Sequence, residues 1–393
     1  MTDLSVMPAT IPLALYAHFP WCVSKCPYCD FNSHPLPDVL PEAAYLDALL
    51  HDLRHEVELA GGRRITSVFM GGGTPSLFSP ASMARLLTEI DQLVGLEGNA
   101  EITMEANPGA IEHGDFAGYR AAGINRLSLG VQSFDNAQLK RLGRVHNATA
   151  AVDAFAEARR AGFDNINLDL MYALPEQSVA GALADLNAAL ALEPEHLSHY
   201  HLTMEAGTPF GKRPPAHLPD DEASWQMLEA CQARLVEAGF ERYEISAYAR
   251  PGGRCAHNLN YWGYGDYLGI GAGAHGKVSL ADGRLLRYAK HAKPARFQLA
   301  ATPNALRGSS LVMSAEIDQA NAAFEFMLNN LRLLNGFTIA DFAARTGSDI
   351  TQIQSALDQA VTKKLLVVEP EGVCRPTEMG ILFLDDLQAL FLP

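Results

Sequence analysis

Cysteine is scarce in this chain, and the way it is distributed argues against a disulfide framework. Six cysteines occur in 393 residues, and Cys231, Cys255 and Cys374 are far apart in the sequence. Domains that depend on disulfides are small, secreted and rich in closely spaced cysteines. The sequence therefore predicts free thiols in a reducing compartment.

Long apolar runs are also missing. No uninterrupted apolar stretch reaches the ~20 residues that a membrane-spanning helix needs. Residues 1–12 have neither the cationic start nor the apolar core of a secretion signal. We therefore expect a cytoplasmic protein. Peripheral contact with the inner membrane is compatible with the same observations.

The chain lacks an excess of basic residues. Its 30 lysines and arginines face 45 acidic residues, which gives a formal net charge of −15. Because nucleic-acid binding depends on a basic surface, we expect no nucleic-acid partner. A hydrophobic content of 48% and a charged content of 19% are typical of a folded globular protein. The length is sufficient for two or three domains.

Half of the cysteines lie close together near the start of the chain. Cys22, Cys26 and Cys29 have the spacing C-x3-C-x2-C. No regular helix or strand places these offsets on one face, whereas a loop can wrap them around one inorganic centre. Thiolates favour iron–sulfur clusters or zinc. An iron–sulfur cluster with one open iron, a zinc site completed by His18 or His34, and three unrelated thiols all remain compatible with this segment.

Short apolar runs alternate with amphipathic stretches of helical length up to about residue 240. This alternation predicts parallel strands joined by helical crossovers. Six such units are too few for a closed eight-unit barrel, so an open barrel and a doubly wound sheet both fit. The predicted strands are 13–18, 66–70, 101–105, 126–131, 165–171 and 197–203. The predicted helices are 42–59, 80–94, 113–122, 148–161, 178–192 and 220–238.

Each predicted strand ends in polar or glycine-rich sequence. The first leads into the cysteine segment and the second into residues 71–75, a glycine-rich turn. Glu105, Gln132 and Asp169 lie at or near the ends of the next three strands. Functional residues of such folds gather at the carboxyl ends of the strands. The pattern predicts one site ringed by strand ends.

These features together resemble the radical S-adenosylmethionine (SAM) superfamily. The resemblance implies a partial β/α barrel of six units and a [4Fe–4S] cluster held by Cys22, Cys26 and Cys29. It also implies that SAM binds the open iron of that cluster. The SAM-binding positions that the resemblance assigns in this chain are Tyr16, Tyr28, Gly72, Gly73, Thr74, Glu105, Gln132, Arg144 and Asp169. Arg126 and Arg141 are interpreted instead as surface or scaffold cations.

The second half of the chain has a different character. We expect a strand at 243–248 and a less regular connector at 285–317, with the motif His-Asn-x-x-Tyr-Trp at 257–262 between them. From 318 onward the pattern predicts helices at 320–335, 338–345, 349–363 and 377–391, with a hairpin of strands 365–368 and 373–376. This last part resembles a winged-helix-like domain.

The resemblance is greatest to the anaerobic coproporphyrinogen III oxidase-like family, and within it to the HemW-type haem chaperone group. Phe31 stands where the oxidase has a fourth cysteine, and the motif at 257–262 is typical of the chaperone group. A neutral histidine is a good ligand for haem iron, and aromatic rings offer faces to a porphyrin. His257, Tyr261 and Trp262 are therefore the predicted haem residues, with His275 as a second possible iron ligand.

The resemblance implies a haem chaperone that passes haem to acceptor apoproteins such as membrane respiratory enzymes. A flavodoxin-like electron donor and a homodimer are further expectations. The alternative is an oxygen-independent coproporphyrinogen III oxidase, and the sequence leaves open whether the protein is an enzyme. We expect four parts: a loose arm (1–12), the barrel with cluster and SAM (13–240), a connector (241–317) and a helical domain (318–393).

Overall fold

The structure is a computed structural model that describes residues 11–109, 116–306 and 308–393. Most of the arm predicted at 1–12 and the first residues of the helix predicted at 113–122 therefore lie outside the described residues. Within the described part, no helix combines the length and the apolar character needed to cross a membrane.

The first half of the chain alternates strands with helices, as its hydrophobic pattern predicts. Short 3-10 turns follow α1 at Val57–Ala60 and precede α2 at Pro75–Leu77. In order, the elements are β1 (Leu13–Phe19), β2 (Trp21–Cys22), β3 (His34–Pro35), α1 (Glu42–Glu56), β4 (Ile65–Gly72), α2 (Pro80–Leu93), β5 (Leu96–Ala106), α3 (Phe116–Ala121), β6 (Arg126–Gln132), α4 (Asn136–Arg141), α5 (Ala148–Arg160), β7 (Ile166–Tyr172), α6 (Val179–Leu190) and β8 (His196–His201).

The second half begins with a short helix and ends in a helical region. A 3-10 turn at Ile350–Ile353 precedes α13. In order, the elements are α7 (Pro209–Lys212), α8 (Asp221–Glu237), β9 (Glu241–Arg242), β10 (Ala247–Ala249), α9 (Ala256–Trp262), β11 (Asp266–Ile270), β12 (His275–Ser279), β13 (Leu285–Lys290), α10 (Pro294–Ala300), β14 (Leu311–Ile317), α11 (Gln319–Asn330), β15 (Phe337–Thr338), α12 (Ile339–Thr346), α13 (Gln354–Thr362), β16 (Leu366–Val368), β17 (Val373–Pro376), α14 (Glu378–Leu382) and α15 (Leu384–Ala389).

Six parallel strands form the centre of one large sheet. They follow one another in the order β1, β4, β5, β6, β7 and β8, so neighbours in the chain are neighbours in the sheet. Every residue of β6 is buried, as expected for a parallel strand that is covered on both faces. The carboxyl ends of these strands meet at one rim, and the loops there carry the site.

The helices cover the sheet through one apolar face each. In α2 the buried residues Met83, Leu86, Leu87 and Ile90 recur at helical spacing. Six of the helices from α1 to α8 begin at a residue whose side chain accepts a backbone N–H of the first turn, which stabilises the helix start. These residues are Ser79, Asp135, Asn147, Ser178, Thr208 and Asp220.

The sheet continues beyond the six central strands on both sides. On one side β11 pairs in parallel with β1, and β12, β13 and β14 follow in antiparallel order. On the other side β10 pairs antiparallel to β8 and is followed by β9. The result is one sheet of twelve strands. The mixed α/β fold class and the barrel of six strand–helix units are confirmed.

Three local expectations are wrong. The strand predicted at 243–248 is limited to β10, because Glu244 and Ser246 form a turn around the Glu244 carboxylate. The segment 285–317 is not irregular, since it carries β13 and β14. The helix predicted at 377–391 is two helices, which are separated at Phe383 by a non-helical backbone.

The C-terminal part has its own small core around Phe326, Phe337, Phe342 and Leu387. Its three-stranded sheet has the order β15, β17 and β16. Helix α12 begins with a reciprocal capping box between Thr338 and Asp341. This part lies against the barrel side of the molecule through Arg345, which donates to the Gly263 carbonyl after α9.

Candidate functional site

The cysteine segment is a loop at the carboxyl end of β1, closed by two short parallel strands. Trp21 pairs with His34 and Cys22 with Pro35, and His34 donates its N–H to the Pro20 carbonyl at 2.7 Å. All three cysteines line one open cleft of about 700 Å³.

Apolar contacts support the loop from outside the cleft. The ring of Tyr28 lies 6.5 Å from that of Phe210, and the Phe210 N–H donates to the Pro27 carbonyl at 3.0 Å. Pro27 sits directly against Gly143, where a Cβ would lie 2.9 Å from the proline Cδ. The segment after β8 therefore holds the loop from one side, through Phe210 in α7.

The opposite wall of the cleft is built from strand ends. The structure brings most of the predicted SAM residues to this wall, facing the three cysteines. They are Gly72, Gly73, Glu105, Gln132, Arg144 and Asp169, with Tyr28 on the cysteine loop itself. Two predicted residues do not line this cleft. Tyr16 faces the neighbouring cleft described below, and Thr74 is buried.

The glycine segment after β4 leaves no room for side chains. Gly72 has φ +105°, and a Cβ there would lie 2.2 Å from the imidazole of His18. A Cβ on Gly73 would lie 2.6 Å from the Phe19 carbonyl oxygen, which already accepts the Gly73 N–H at 2.7 Å. The Thr74 hydroxyl accepts a hydrogen bond from Asn107 at 3.0 Å. The buried Thr74 therefore holds the glycine turn through its contact with Asn107 and does not face the cleft.

Two carboxyl groups lie on this wall. Glu105 accepts the Gly72 N–H at 3.0 Å. Burial and then the negative charge of Asp169 raise the pKa of Glu105 to about 8. Burial also raises the pKa of Asp169, although hydrogen bonds from Asn167 and Ser128 oppose this. Because the negative charge of Asp169 disfavours ionisation of Glu105, a cationic group bound beside the two carboxyl groups would offset that effect.

Arg144 supplies positive charge between the two walls. Its guanidinium donates to the Gly130 carbonyl at 2.8 Å and to the Asn107 side chain. The other terminal nitrogen lies 3.4 Å from the Cys26 sulfur. Gln132 has φ 70° and accepts a hydrogen bond from the Tyr200 hydroxyl at 2.7 Å. The cleft therefore offers a cation, two acids and backbone groups at close range.

The histidines considered as zinc ligands are engaged elsewhere. His18 Nε2 donates to the Asn32 carbonyl at 2.8 Å, and its Nδ1 accepts from the Tyr16 hydroxyl at 2.9 Å. His34 Nε2 lies 3.2 Å from the Asn32 side-chain oxygen. Three thiols on one wall, with an arginine beside one of them and open space in front, fit an iron–sulfur cluster better than a closed zinc site.

A second cleft adjoins the first at Phe31, Gly72 and Glu105, which line both. It is larger, about 1290 Å³. Its other lining residues are mostly aromatic or histidine, including Tyr16, Phe69, His257, Tyr261, Tyr267 and His275. Phe31 is 58% exposed between the two clefts. The structure thus joins the cysteine loop to the motif at 257–262, although more than two hundred residues separate them in sequence.

His257 is held firmly at the wall of the second cleft. Its Nδ1 lies 3.2 Å from the Ser67 hydroxyl, and its ring lies 5.2 Å from the Phe69 ring. Burial, with a smaller effect from the Arg126 charge, lowers the pKa of His257 to about 3. Its ring is therefore neutral at physiological pH, which is the form that binds iron.

The other two residues of the motif differ in position. Tyr261 lines the second cleft and is 38% exposed. Trp262 lines neither cleft; its ring contacts the Arg332 guanidinium at 4.2 Å. His275 is exposed at the start of β12 and lines the second cleft.

Sequence reasoning missed several residues of the two clefts. Asn107 and Ser128 line the first cleft, and so does Tyr200 near the end of β8. The position of Tyr200 at a strand end was the available signal. Phe69 and Ser67 carry no recognisable motif. Arg126 is buried within 4.0 Å of Glu101, and Arg141 pairs with Glu176 at the surface, so both are scaffold cations.

Comparison with known proteins agrees with this geometry. The radical SAM superfamily model matches residues 16–189, and the model of the HemN C-terminal domain matches residues 317–383. The solved structure of coproporphyrinogen III oxidase (HemN) from Escherichia coli, a radical SAM enzyme, superimposes with a TM-score of 0.81 over 99% of this chain and 91% of its own, at 23% identity. That likeness establishes the fold.

Sequence relatives extend over nearly the whole chain. The heme chaperone HemW of Escherichia coli (strain K12) is 47% identical over 97% of this chain and 98% of its own length. The heme chaperone HemW of Haemophilus influenzae is 45% identical over 98% of this chain and 99% of its own. The mouse radical S-adenosyl methionine domain-containing protein 1, mitochondrial, is 35% identical over 98% of this chain and 88% of its own. The chain therefore belongs to the radical SAM superfamily and, within its HemN-like branch, to the HemW family.

Proposed function

We propose that this protein is a haem chaperone that binds haem in the second cleft and passes it to acceptor apoproteins. The observation that carries the proposal is the cleft itself. It presents a neutral histidine among aromatic rings and adjoins the cysteine cleft. Aromatic side chains offer flat apolar faces to a porphyrin, and imidazole is a common haem ligand. The names of the HemW relatives point to the same function.

The first cleft is proposed to hold the cofactors of the superfamily. Cys22, Cys26 and Cys29 would hold a [4Fe–4S] cluster, and the strand-end wall with Arg144 would bind SAM. When bound, the cluster supplies the electron for the cleavage of SAM. The protein itself would orient the ligand: the two carboxyl groups favour its ammonium, and Arg144 favours its carboxylate.

His257 and Tyr261 are the proposed haem residues, and His275 is the proposed second iron ligand. Trp262 would act only indirectly, by packing beside Tyr261 with a ring separation of 5.1 Å. Membrane respiratory enzymes as acceptors, a flavodoxin-like electron donor, a homodimer and a cytoplasmic location complete the proposal. The division into an arm, barrel, connector and helical domain is likewise a proposal, with the connector contributing strands to the barrel sheet.

The second candidate is an oxygen-independent coproporphyrinogen III oxidase. The similarity of fold to the oxidase HemN and a first cleft that suits SAM favour it. Phe31 opposes it, because the family resemblance places a fourth cysteine of the oxidase at this position.

The test is a haem titration of the protein reconstituted anaerobically with iron and sulfide, followed by absorption and EPR spectra. We expect stoichiometric haem binding, and we expect His257→Ala to lower the affinity at least tenfold. His199→Ala is the matched control, because His199 is buried in β8 and lines neither cleft. Equal binding by both variants would contradict the assignment of His257.

The same sample, incubated with coproporphyrinogen III, SAM and a reductant, separates the two candidates. A haem chaperone gives no decarboxylated product. Formation of protoporphyrinogen IX would identify the oxidase and would reduce the motif at 257–262 to a structural role.

A further inference from the structure

Two neighbouring barrel strands meet at His257. Ser67 in β4 and Glu101 in β5 are paired in register, so both side chains point to the same face of the sheet. The Ser67 hydroxyl contacts the His257 ring at Nδ1, at 3.2 Å. Glu101 accepts the backbone N–H of His257 at 3.0 Å. One residue therefore holds the ring and the other holds the backbone.

Glu101 also replaces an ordinary helix cap. Helix α9 begins after Cys255, whose side chain makes no capping hydrogen bond to the helix. The Glu101 carboxylate accepts the Ala256 N–H at 2.9 Å as well as the His257 N–H, and the Cys255 thiol donates to it at 3.4 Å. The first N–H groups of α9 are therefore capped by Glu101 of β5 and not by the side chain of Cys255, which precedes the helix.

The ring itself is fixed on two sides. Phe69 lies two residues after Ser67, on the same face of β4, and its ring is 5.2 Å from that of His257. Ser67 is 1% exposed, so water does not compete for its hydroxyl. Nε2 of His257, by contrast, makes no hydrogen bond to any residue that the structure describes, and the histidine lines the second cleft.

We propose that Ser67 is a positioning residue for haem binding, which accepts a hydrogen bond from His257 Nδ1–H and so leaves the Nε2 lone pair directed at the cleft. This inference rests on the proposed function, in which His257 binds haem iron. Histidine ligands of metals generally donate their other ring N–H to a protein group. That bond selects the tautomer and the ring orientation, and removing the partner typically weakens metal binding about 10–100-fold.

The experiment compares Ser67→Ala with Thr103→Val and His257→Ala. Thr103 is the matched control because it lies on the adjoining strand, is paired with Phe69 in register, is fully buried and has a hydroxyl without a partner among the described residues. We expect Ser67→Ala to weaken haem binding about tenfold and to change the EPR spectrum of the ferric haem, whereas Thr103→Val leaves both unchanged.

A second readout does not depend on haem. In the haem-free protein labelled with ¹⁵N-histidine, the imidazole signals that disappear in His257→Ala belong to His257. We expect these signals to report protonated Nδ1 and unprotonated Nε2, and we expect Ser67→Ala to shift them towards the opposite tautomer. A wild-type signal with protonated Nε2 overturns the proposal, even if Ser67→Ala does not fold.

The outcomes separate this inference from the function on which it rests. If His257→Ala loses haem while Ser67→Ala behaves as Thr103→Val does, the inference about Ser67 is wrong and the haem site stands. If His257→Ala binds haem with an unchanged spectrum, the iron-ligand assignment fails, and the role proposed for Ser67 fails with it.

Discussion

At the scale of single residues, the tightest point of the site is Gly72. Gly72→Ala would place a methyl group 2.2 Å from the His18 imidazole, at a φ of +105° that alanine rarely adopts. We expect a loss of about 2–4 kcal/mol in the free energy of unfolding, from backbone strain and overpacking together. Chemical denaturation measures this loss in the free energy of unfolding. Gly98→Ala is the control, because Gly98 lies in the exposed part of β5 with open space where its Cβ would be, and it should change stability by less than about 0.5 kcal/mol.

Glu105 makes a pH-dependent contribution to stability. Its pKa is raised to about 8 in the folded protein, so the fold favours the protonated form. Its contribution is therefore complete below the unfolded pKa of about 4.3 and is lost as the pH rises through about 8. Glu105→Gln keeps an acceptor for the Gly72 N–H and removes this titration.

The expected result is that Glu105→Gln gains stability over the wild type as the pH rises, by about 1 kcal/mol or more at pH 8. Melting curves from pH 5 to pH 8.5, recorded without SAM, measure the difference. Glu97→Gln, on the same strand but exposed, should follow the wild type throughout. A constant difference between Glu105→Gln and the wild type would show that Glu105 does not titrate in this range.

At the scale of elements, Asn32 ties the cysteine loop to the extension of the sheet. Its side-chain nitrogen donates to the carbonyls of Ala272 and Ala292, at 2.8 and 2.9 Å. The same side chain fills the space beside Gly273, where a Cβ would lie 2.3 Å from it. The loop therefore depends on residues that are far away in sequence.

We expect Asn32→Ala to loosen the loop, because both hydrogen bonds are lost and their acceptors are left beside an empty space. The loss of iron from the reconstituted protein to a chelator, followed by absorption, should become several-fold faster. Ser24→Ala is the control, since Ser24 lines the same cleft and is exposed. Equal rates in the two variants would mean that the loop is held without Asn32.

The elements themselves were largely predictable. The six strands and most of the helices between them have strong apolar periodicity, and most of their bounds agree with the sequence to within a few residues. The exceptions are β5, which begins at Leu96 where 101 was predicted, and the short helix α4, which was not predicted. Strands β13 and β14 were not predicted, because neither sequence alternates strictly between apolar and polar residues. In β14 the apolar side chains of Val312 and Met313 are exposed. The break at Phe383 was not predicted either, because the residues around it are compatible with one continuous helix.

The composition of the clefts was predictable only in part. The strand-end rule brought Glu105, Gln132 and Asp169 together correctly, because parallel strands end at one rim. The contact of His257 with Ser67 depends instead on how α9 crosses the barrel, and no local pattern encodes that crossing. Residues that are adjacent in sequence can also differ in position. Tyr261 lines the second cleft, whereas Trp262 contacts Arg332 and does not line it.

At the scale of the whole molecule, a buried ion cluster joins the strands that extend the sheet beyond β1, namely β11 to β14, to the barrel. Lys290 in β13 lies 2.8 Å from Asp52 and also contacts Glu56, and both carboxylates belong to α1. The Ser310 hydroxyl donates to Asp52 at 2.7 Å. Lys290 is 2% exposed, so the removal of its charge leaves two acids buried without a cation.

Lys290→Met is therefore expected to lower the free energy of unfolding by about 3–5 kcal/mol. Urea denaturation measures the loss. Arg85→Met removes a surface ion pair with Asp47, whose side chains are about half exposed, and should cost less than about 1 kcal/mol. Similar losses in the two variants would mean that the buried cluster contributes little to holding the sheet together.

The place of β1 in the sheet determines when its contacts can form during synthesis. This first strand lies between β4 and β11, so one of its two neighbours is synthesised long after it. About 240 residues separate Asn32 from its acceptor Ala272. At synthesis rates of ~5–20 residues per second, that gap lasts on the order of tens of seconds. Until Ala272 and Ala292 have been synthesised, Asn32 cannot form its hydrogen bonds to them. During that time the cysteine loop can be supported only from the barrel side.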